Sequence, residues 1–252
     1  MDSDKENSLA GKIALVTGAA RRVGAAIVHR LHAAGARVAI HYRDSASEAG
    51  NLTAALNEAR ADSARSFQAD LNDHDDLTSL VNAVTAWAGR LDILINNASR
   101  FYATPLGSIT EAQWDDLIGS NLKAPLFLAQ AAAPQLRSAG GVIVNIVDIH
   151  AQRPLRDHAV YGAAKAGLGM LTRSLAKDLA PEVRVNGVAP GAILWPEDGI
   201  TEATMQSILR QIPLGRSGEP DDIARCVLYL VRDAGYVTGQ IISVDGGRSI
   251  GW

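Results

Sequence analysis

The chain has 252 residues, of which 47% are hydrophobic and 20% are charged, and its formal net charge is −3. This composition predicts a globular protein with enough apolar material for a sizeable core. The slightly acidic balance offers no basic field for a nucleic acid or an anionic membrane. The single cysteine, Cys226, excludes a disulfide framework and favours a reducing compartment, so a cytoplasmic location is expected.

Charge and hydropathy predict where the folded domain begins. Met1–Ser8 is polar and charged and contains no apolar stretch of the kind found in signal peptides, so residues 1–9 are predicted to form a disordered tail. No apolar run reaches about 18 residues, so no membrane-spanning segment is predicted. Residues 10–252 contain no repeat, low-complexity tract or linker and are predicted to form one domain.

Apolar runs alternate with helix-period segments along the chain. The predicted strands are Lys12–Thr17, Arg37–Tyr42, Arg65–Ala69, Leu91–Asn96, Gly141–Val147, Val183–Val188 and Gln240–Val244. The first predicted helix has Val23, Ala26, Ile27 and Leu31 on one face and ends at Gly35. The second runs from Ser45 to about Arg60 and opens with a Ser45–Glu48 capping-box pattern. The other predicted helices are Asp73–Ala88, Glu111–Ser138, His158–Leu179, Thr201–Gln211 and Pro220–Arg232. Uninterrupted apolar strands indicate a sheet with both faces covered by helices, and the alternation indicates parallel strands with right-handed crossovers. The prediction is a single doubly wound α/β domain.

The first strand-to-helix connection predicts a nucleotide site. Thr17–Gly24 reads Thr-Gly-Ala-Ala-Arg-Arg-Val-Gly, and small residues there let the backbone approach a pyrophosphate. The following helix supplies free N–H groups and the positive end of its dipole. The alternative is that Gly18 and Gly24 serve only a tight turn and close packing.

The end of the second predicted strand indicates which nucleotide binds. An acidic residue there would bind the ribose hydroxyls of NAD, but Tyr42 and Arg43 occupy the place. An arginine can pair with a 2′-phosphate, which favours NADPH. Asp44 would offset that charge, and a solvated loop cation is the alternative for Arg43. Ser45 could contact the phosphate or only cap the helix.

Tyr161 and Lys165 are candidates for the chemistry. They lie four residues apart on a predicted helix and therefore share a face. A tyrosine can donate a proton during hydride transfer, and a nearby ammonium is expected to lower its pKa by stabilising the phenolate. The alternative is an exposed helix face. Asn121 lies inside a predicted helix, where a short amide is unfavourable, so it has either a polar task or the role of a satisfied core amide.

Several motifs together resemble the short-chain dehydrogenase/reductase family. They are Thr17–Gly24, Asn96-Asn97-Ala98, Asn121, Tyr161–Lys165, Pro190-Gly191 and Asp245-Gly246-Gly247. The resemblance covers about Ala10 to Gly247 and implies a seven-stranded, mainly parallel Rossmann-type sheet and a homotetramer. It implies Asn121, Tyr161 and Lys165 as catalytic residues, Asp70 beside the adenine, and Leu71 as a further cofactor contact. The implied cofactor contacts also include Gly18, Arg21, Arg22, Val23, Tyr42, Arg43, Ser45, Asn97, Ala98, Tyr161, Lys165, Pro190 and Gly191.

Two departures from the family pattern are similar to pteridine reductases. Residues 141–160 contain no Ser or Thr, and Asp148 stands where the family normally has a serine beside the substrate. Arg22 stands at the family's middle glycine. Ser99 and Phe101 also match residues that hold a pterin in that subgroup. The resemblance implies substrate contacts from Arg22, Ser99, Phe101, Asp148, Tyr161 and Leu194.

Pterin chemistry suits these residues. Phe101 can stack on a flat, electron-poor ring, and Asp148 bonded to Tyr161 could relay a proton to a ring nitrogen. The leading hypothesis is hydride transfer from NADPH to a dihydropterin or dihydrofolate, and to oxidised pterin as well. No metal is expected. The segment Leu194–Ile212 is expected to form a lid over the substrate. The apolar tail that ends in Trp252 is expected to pack near the active site of a neighbouring subunit.

Other interpretations remain open. A carbonyl reductase of the 3-oxoacyl or sugar type would normally have a Ser or Thr near Asp148. A nucleotide-sensing regulator built on an inactive reductase would more naturally lose Tyr161 or Lys165. Phe101 could be a core residue, Arg22 a phosphate ligand only, and Asp148 the mark of an enzyme that has lost its activity.

Overall fold

The computed structural model describes residues 8–194 and 201–250. In these ranges seven strands form one sheet in the order β3-β2-β1-β4-β5-β6-β7, and every strand pair is parallel. The strands are β1 (Ile13–Val16), β2 (Arg37–Tyr42), β3 (Ala64–Gln68), β4 (Ile93–Asn96), β5 (Val142–Ile146), β6 (Arg184–Pro190) and β7 (Ile241–Val244). The α-helices are α1 (Arg22–Ala33), α2 (Ala46–Ala59), α3 (His74–Ala88), α4 (Glu111–Ile118), α5 (Ala124–Ala139), α6 (Ala159–Asp178), α7 (Glu202–Leu209) and α8 (Pro220–Arg232). The doubly wound α/β prediction is confirmed.

Two apolar layers cover the sheet. In β1, Ala14 and Val16 pack into the layer that contains α1, α2 and α8, whereas Ile13 and Leu15 pack into the layer with α3, α5 and α6. The inner strands β1, β4 and β5 are buried on both faces and are nearly continuous apolar runs, whereas the edge strands β3 and β7 are partly exposed. Each predicted strand lies within one or two residues of the observed one at both ends.

The predicted helix Glu111–Ser138 is not continuous. It is divided into α4 and α5 by a π-helical turn, Gly119–Lys123, and Pro125 lies in the first turn of α5. Proline is well suited to a first helical turn because it has no N–H to pair. Asn121 therefore lies in the π-helical turn, a feature often found at functional sites, and not in a regular helix interior.

The predicted capping box at Ser45 and Glu48 is wrong. Ser45 is the N-cap residue of α2, but its side chain makes no capping hydrogen bond. Glu48 instead pairs with Arg21, with 3.2 Å between Arg21 NH1 and Glu48 Oε1. An ion pair across 27 residues of chain thus takes the carboxylate that the local pattern assigned to the helix end.

The predicted ends of the domain need one correction. Residues 1–7 of the predicted tail lie outside the described ranges, but Leu9 is buried, and its N–H donates to the Ala34 carbonyl oxygen at 2.8 Å. The domain therefore includes Leu9.

The predicted lid is described only in part, since residues 195–200 are outside the described ranges. Trp252 of the predicted C-terminal tail also lies outside them. Of the helices that are described, none has the length and apolar character needed to cross a membrane.

Candidate active site

The sheet changes winding direction between β1 and β4, which is where ligands bind in this architecture. Asn97, directly after β4, donates from Nδ2 to the carbonyl oxygens of Thr17 and Gly18 at 2.8 and 3.0 Å. Thr17 Oγ1 in turn accepts from the N–H groups of Asn97 and Ala98 at 2.9 and 3.0 Å. These four bonds fix the glycine-rich loop to the end of β4.

The two glycines of this loop are required by close packing. A Cβ on Gly18, which has φ +59°, would lie 2.9 Å from Ala98 Cα, and a Cβ on Gly24 would lie 2.3 Å from the Gly18 carbonyl oxygen. Arg22, at the family's middle glycine, keeps a left-handed backbone with φ 55°. Its exposed side chain makes no hydrogen bond to a described residue. The departure from glycine therefore adds a cation without changing the left-handed turn.

Sequence reasoning missed His41, a polar residue in the otherwise apolar strand β2. Its Nδ1 accepts from the Gly18 N–H at 3.0 Å, and its Nε2 lies 3.2 Å from the Ala69 carbonyl oxygen. Burial lowers the pKa of His41 to about 4, so the ring stays neutral and can accept at Nδ1. His41 thus joins the glycine-rich loop to the residue that precedes Asp70. The only feature of the sequence that could have indicated this role is a histidine inside an otherwise apolar strand.

Arg43 lies at the end of β2, as predicted, and it is not free. Its guanidinium makes two contacts with the neighbouring Asp44 carboxylate, at 2.6 Å from Nε and 2.5 Å from NH2. The Asp44 carboxylate raises the pKa of Arg43, so the guanidinium remains charged. The offset expected from Asp44 is therefore present as a direct ion pair, which an incoming phosphate would have to share or replace.

The structure brings every predicted cofactor residue to the carboxyl edge of the sheet. Asp70 and Leu71 follow β3, and the Asp70 carboxylate accepts from the Asn72 N–H at 3.0 Å. Pro190 ends β6, and a Cβ on Gly191 would lie 2.6 Å from the Asp245 Cβ, so the two strand exits touch. The other members lie after β1, β2 and β4 and at the start of α6; they are Gly18, Arg21, Arg22, Val23, Tyr42, Arg43, Ser45, Asn97, Ala98, Tyr161 and Lys165.

Asp148 and Tyr161 form a direct pair. The Tyr161 hydroxyl donates to Asp148 Oδ2 at 2.7 Å, and the other carboxylate oxygen accepts from the His150 N–H at 2.8 Å. Tyr161 is in the first turn of α6, whereas Asp148 follows β5 and begins the 3₁₀ turn Ile149–Ala151. Because both carboxylate oxygens are used, the Asp148 side chain has a fixed orientation toward the phenol.

The electrostatics of Tyr161 differ from the sequence expectation. The pKa of Tyr161 is raised, mainly by burial and next by the Asp148 carboxylate, instead of being lowered by Lys165. Lys165 is fully buried; its Nζ donates to the Ile146 carbonyl oxygen at 2.9 Å and lies 5.7 Å from the centre of the Tyr161 ring. Burial lowers the pKa of Lys165 to about 8. The phenol stays protonated at neutral pH and has a proton to give, although the raised pKa makes it a weaker acid than a free phenol until a nearby positive charge stabilises the phenolate.

Asn121 is a satisfied amide that holds a neighbouring loop. Its Oδ1 accepts from Ser99 Oγ at 2.7 Å, and its Nδ2 donates to the carbonyl oxygens of Arg100 and Leu117, both at 2.9 Å. Asn121 has no exposed surface. Its contacts therefore position residues 99–100 near Tyr161, which identifies Asn121 as a positioning residue in this structure.

Phe101 is not a core residue, since 53% of it is exposed. Its ring stacks on the His158 imidazole, with centres 4.6 Å apart, and meets the Tyr161 ring edge-on, with centres 4.9 Å apart. Leu194, also predicted to contact the substrate, is exposed and is the last described residue before the gap at 195–200. Phe101 thus borders the Tyr161–Asp148 pair and keeps an accessible aromatic surface.

Comparisons with known proteins find similar reductases. A family model described as enoyl-acyl-carrier-protein reductase matches residues 18–249. Pteridine reductase 1 of Leishmania tarentolae is 38% identical over 279 residues, covering 94% of this chain and 96% of that protein. A 3-oxoacyl-acyl-carrier-protein reductase of Staphylococcus aureus is 39% identical over 242 residues, covering 94% and 97%.

A solved structure extends the likeness to three dimensions. The crystal structure of a blue fluorescent protein from a metagenomic library, in complex with NADPH, matches with a TM-score of 0.89 at 36% identity. The match covers 96% of this chain and 99% of that one. With this fold, the glycine-rich loop, the Tyr161–Lys165 pair and the extent of these matches, the chain belongs to the short-chain dehydrogenase/reductase family.

Proposed function

We propose that the protein is an NADPH-dependent pteridine reductase, which reduces a dihydropterin or dihydrofolate to the tetrahydro form. The observation that carries the proposal is the 2.7 Å hydrogen bond between Tyr161 and Asp148. An ionisable carboxylate takes the place where the family usually has a hydroxyl. A C=N bond needs a proton on nitrogen when it is reduced, so a proton relay fits this chemistry better than an alkoxide-stabilising hydroxyl.

The residues at the carboxyl edge suit NADPH. Helix α1 begins without a side-chain cap, which leaves its first N–H groups and positive dipole end for a phosphate. Three arginines, Arg21, Arg22 and Arg43, surround this helix end and the end of β2, and arginine pairs well with phosphates. No acidic residue follows Tyr42 before Asp44, which is itself paired with Arg43. This donor set favours the phosphorylated cofactor.

The side chains of the site divide the proposed reaction between them. When bound, NADPH supplies the hydride that adds to the carbon of the C=N bond. Tyr161 turns its hydroxyl from Asp148 and gives the proton to the adjoining ring nitrogen; Asp148, which is half-buried, then takes up a proton from solvent and passes it to the Tyr161 oxygen. Lys165 stays protonated at neutral pH and stabilises negative charge that develops on the phenol oxygen.

The substrate side has the groups that a pterin needs. Phe101 offers an accessible ring face beside Tyr161, on which a flat heterocycle can stack. The exposed guanidinium of Arg22 has no hydrogen-bond partner among the described residues and can donate to a pterin carbonyl as well as to a phosphate. Ser99 is fixed by Asn121, and Leu194 provides an apolar contact at the start of the proposed lid.

A second candidate is an NADPH-dependent 3-oxoacyl reductase, favoured by the 39% identity to the Staphylococcus aureus enzyme. Consumption of NADPH, followed in parallel with dihydrobiopterin, dihydrofolate and acetoacetyl-CoA, separates the two. We expect turnover with one or both reduced pterins and little with acetoacetyl-CoA. The opposite ranking would establish the second candidate in place of the first.

Replacing Arg43 with alanine should raise the KM for NADPH at least tenfold and leave the KM for NADH nearly unchanged. The reason is the loss of one charge-assisted pair with the 2′-phosphate, which contributes about 1.5–3 kcal/mol. Asp44→Asn should have the opposite effect: it removes the carboxylate that pairs with the Arg43 guanidinium and should lower the KM for NADPH. Steady-state kinetics with both cofactors measure the effects. Equal use of NADH and NADPH by the unmodified enzyme contradicts the prediction.

Phe101→Leu should weaken dihydropterin binding by about two- to tenfold and leave NADPH binding unchanged, because stacking of an aromatic pair contributes about 0.5–1.5 kcal/mol beyond area burial. Isothermal titration with each ligand measures the two affinities. The protein should melt near the wild-type temperature, because the ring is largely exposed. If the variant loses both ligands and melts early, Phe101 has a structural role instead.

A further inference from the structure

The loop that bears Phe101 is tied down at three places. At its start, Asn97 and Ala98 are bonded to Thr17 at 2.9 and 3.0 Å. At its end, Thr104 forms an isolated parallel bridge with His158, and its N–H donates to the Asp157 carbonyl oxygen at 2.5 Å. The middle, residues 99–102, is held by Asp116 of α4 and by Asn121 of the π-helical turn.

Asp116 makes most of the middle attachment. Its carboxylate oxygens accept from Arg100 NH1, both at 3.0 Å, and Oδ2 also accepts from the Tyr102 hydroxyl at 2.9 Å. These two partners are the sequence neighbours of Phe101 on either side. Their side chains reach α4, whereas the Phe101 ring contacts His158 and Tyr161. A single carboxylate therefore fixes both flanks of the residue that faces the site.

The Asp116 carboxylate is itself well held. Asn72 Nδ2 donates to Asp116 Oδ1 at 3.2 Å, and the side chain of Asp116 is only 21% exposed. Arg100 neutralises the charge of Asp116. Burial, followed by the hydrogen bond with Asp116, raises the pKa of Tyr102, so that Tyr102 remains a donor. A Cβ on Gly119 would lie 2.5 Å from Asn72 Oδ1, so the glycine that begins the π-helical turn leaves room for this contact.

We propose that Asp116 is a positioning residue that sets substrate affinity by holding the Phe101 ring beside Tyr161. The mechanism assigned to Tyr161 and Asp148 does not involve Asp116, and Asp116 is not among the predicted cofactor contacts. The substrate class is a flat aromatic heterocycle, so the kinetic part of this inference rests on the proposed function. The positioning itself concerns only residues 99–102 and is measurable without a substrate.

The kinetic test compares two substitutions of Asp116 with a control substitution at another carboxylate that is paired with an arginine. Asp116→Asn should raise the KM for dihydrobiopterin on the order of tenfold, as expected when hydrogen bonds to a charged group are lost, and change kcat and NADPH affinity less than twofold. Asp116→Ala should act in the same way and more strongly. Asp62→Asn removes the carboxylate of another arginine pair, with Arg37, at the opposite edge of the sheet, and should leave every parameter unchanged.

Hydrogen exchange separates positioning from general destabilisation. In Asp116→Ala the amides of residues 100–102 should exchange faster, while those of Asn97 and Ala98, which are held by Thr17, should keep the wild-type rate. Unchanged exchange at 100–102 together with an unchanged KM overturns the inference, and so does a uniform increase across the loop. If the wild-type enzyme does not reduce dihydrobiopterin, the proposed function fails, and the exchange pattern still decides the role of Asp116.

Discussion

Replacing Asp148 with serine is expected to lower turnover on dihydrobiopterin by about 10²–10⁴-fold, the range typical of lost general acid catalysis. The change restores the usual family residue but removes the ionisable partner of the Tyr161 hydroxyl. In the wild type, Asp148 Oδ2 lies 2.7 Å from the Tyr161 hydroxyl oxygen. A ketone reductase should tolerate serine here or gain from it. The affinity for NADPH should change little, because the carboxylate is bonded to Tyr161 and His150 on the substrate side.

The pH dependence gives the same variant a second readout. Burial raises the pKa of Tyr161 and lowers that of Lys165 to about 8, and the Asp148 carboxylate contributes an upward shift to both. Since protonated Lys165 is the active form, wild-type turnover should fall as the pH rises through about 8. Without Asp148 the pKa of Lys165 is lower, so this alkaline decline should begin at a lower pH.

Two measurements decide the role of Asp148. Turnover against pH for the wild type, Asp148→Ser and Asp148→Asn tests the relay, and fluorescence titration with NADPH tests binding. Asp148→Asn keeps the shape of the side chain and removes only its ionisation, so it should lose as much activity as the serine variant. Undiminished turnover in Asp148→Ser means that Asp148 has another task and that the pterin hypothesis depends on Arg22, Ser99 and Phe101.

The strands and the order of elements could be predicted because a buried parallel strand leaves a simple signal. Ile13–Val16 and Val142–Ile146 are buried on both faces and, apart from Asn145, apolar; their short length and β-branched residues distinguish them from a buried helix. The proximity of Asp148 and Tyr161 was also predictable, since one follows the fifth strand and the other begins the helix after it. For these features, the local sequence pattern and the order of strands and helices lead to the same prediction.

The features that sequence reasoning missed depend on contacts between distant segments. The Asp116 network joins Asn72, Arg100 and Tyr102, and His41 joins Gly18 to Ala69; none of these pairs is marked by spacing. The capping box failed for the same reason, because Arg21 took the Glu48 carboxylate. The raised pKa of Tyr161 could not be predicted either, since it depends on burial, which a helix pattern does not specify.

Gly24→Ala is expected to cost the protein about 1–3 kcal/mol of stability or more, as overpacking of a well-packed site does, and to weaken NADPH binding by at least tenfold. The added Cβ would lie 2.3 Å from the Gly18 carbonyl oxygen, 2.7 Å from Asn97 Nδ2 and 2.8 Å from Ala19 Cα. Two of these three neighbours are backbone atoms and cannot move aside alone. The glycine-rich loop must shift as a unit, and with it the Asn97 bonds that fix the loop to β4.

Gly50→Ala is the matched control, and its effect should have the opposite sign. Gly50 lies in α2 with nothing within 4 Å of an added Cβ, and alanine in a helix interior is favoured over glycine by about 0.8–1.0 kcal/mol. Thermal unfolding should therefore show a lower melting temperature for Gly24→Ala and a slightly higher one for Gly50→Ala, with NADPH affinity lost only in the former. Wild-type stability and NADPH binding in Gly24→Ala would mean that the loop adjusts freely, and close packing would then not explain the glycine at this position.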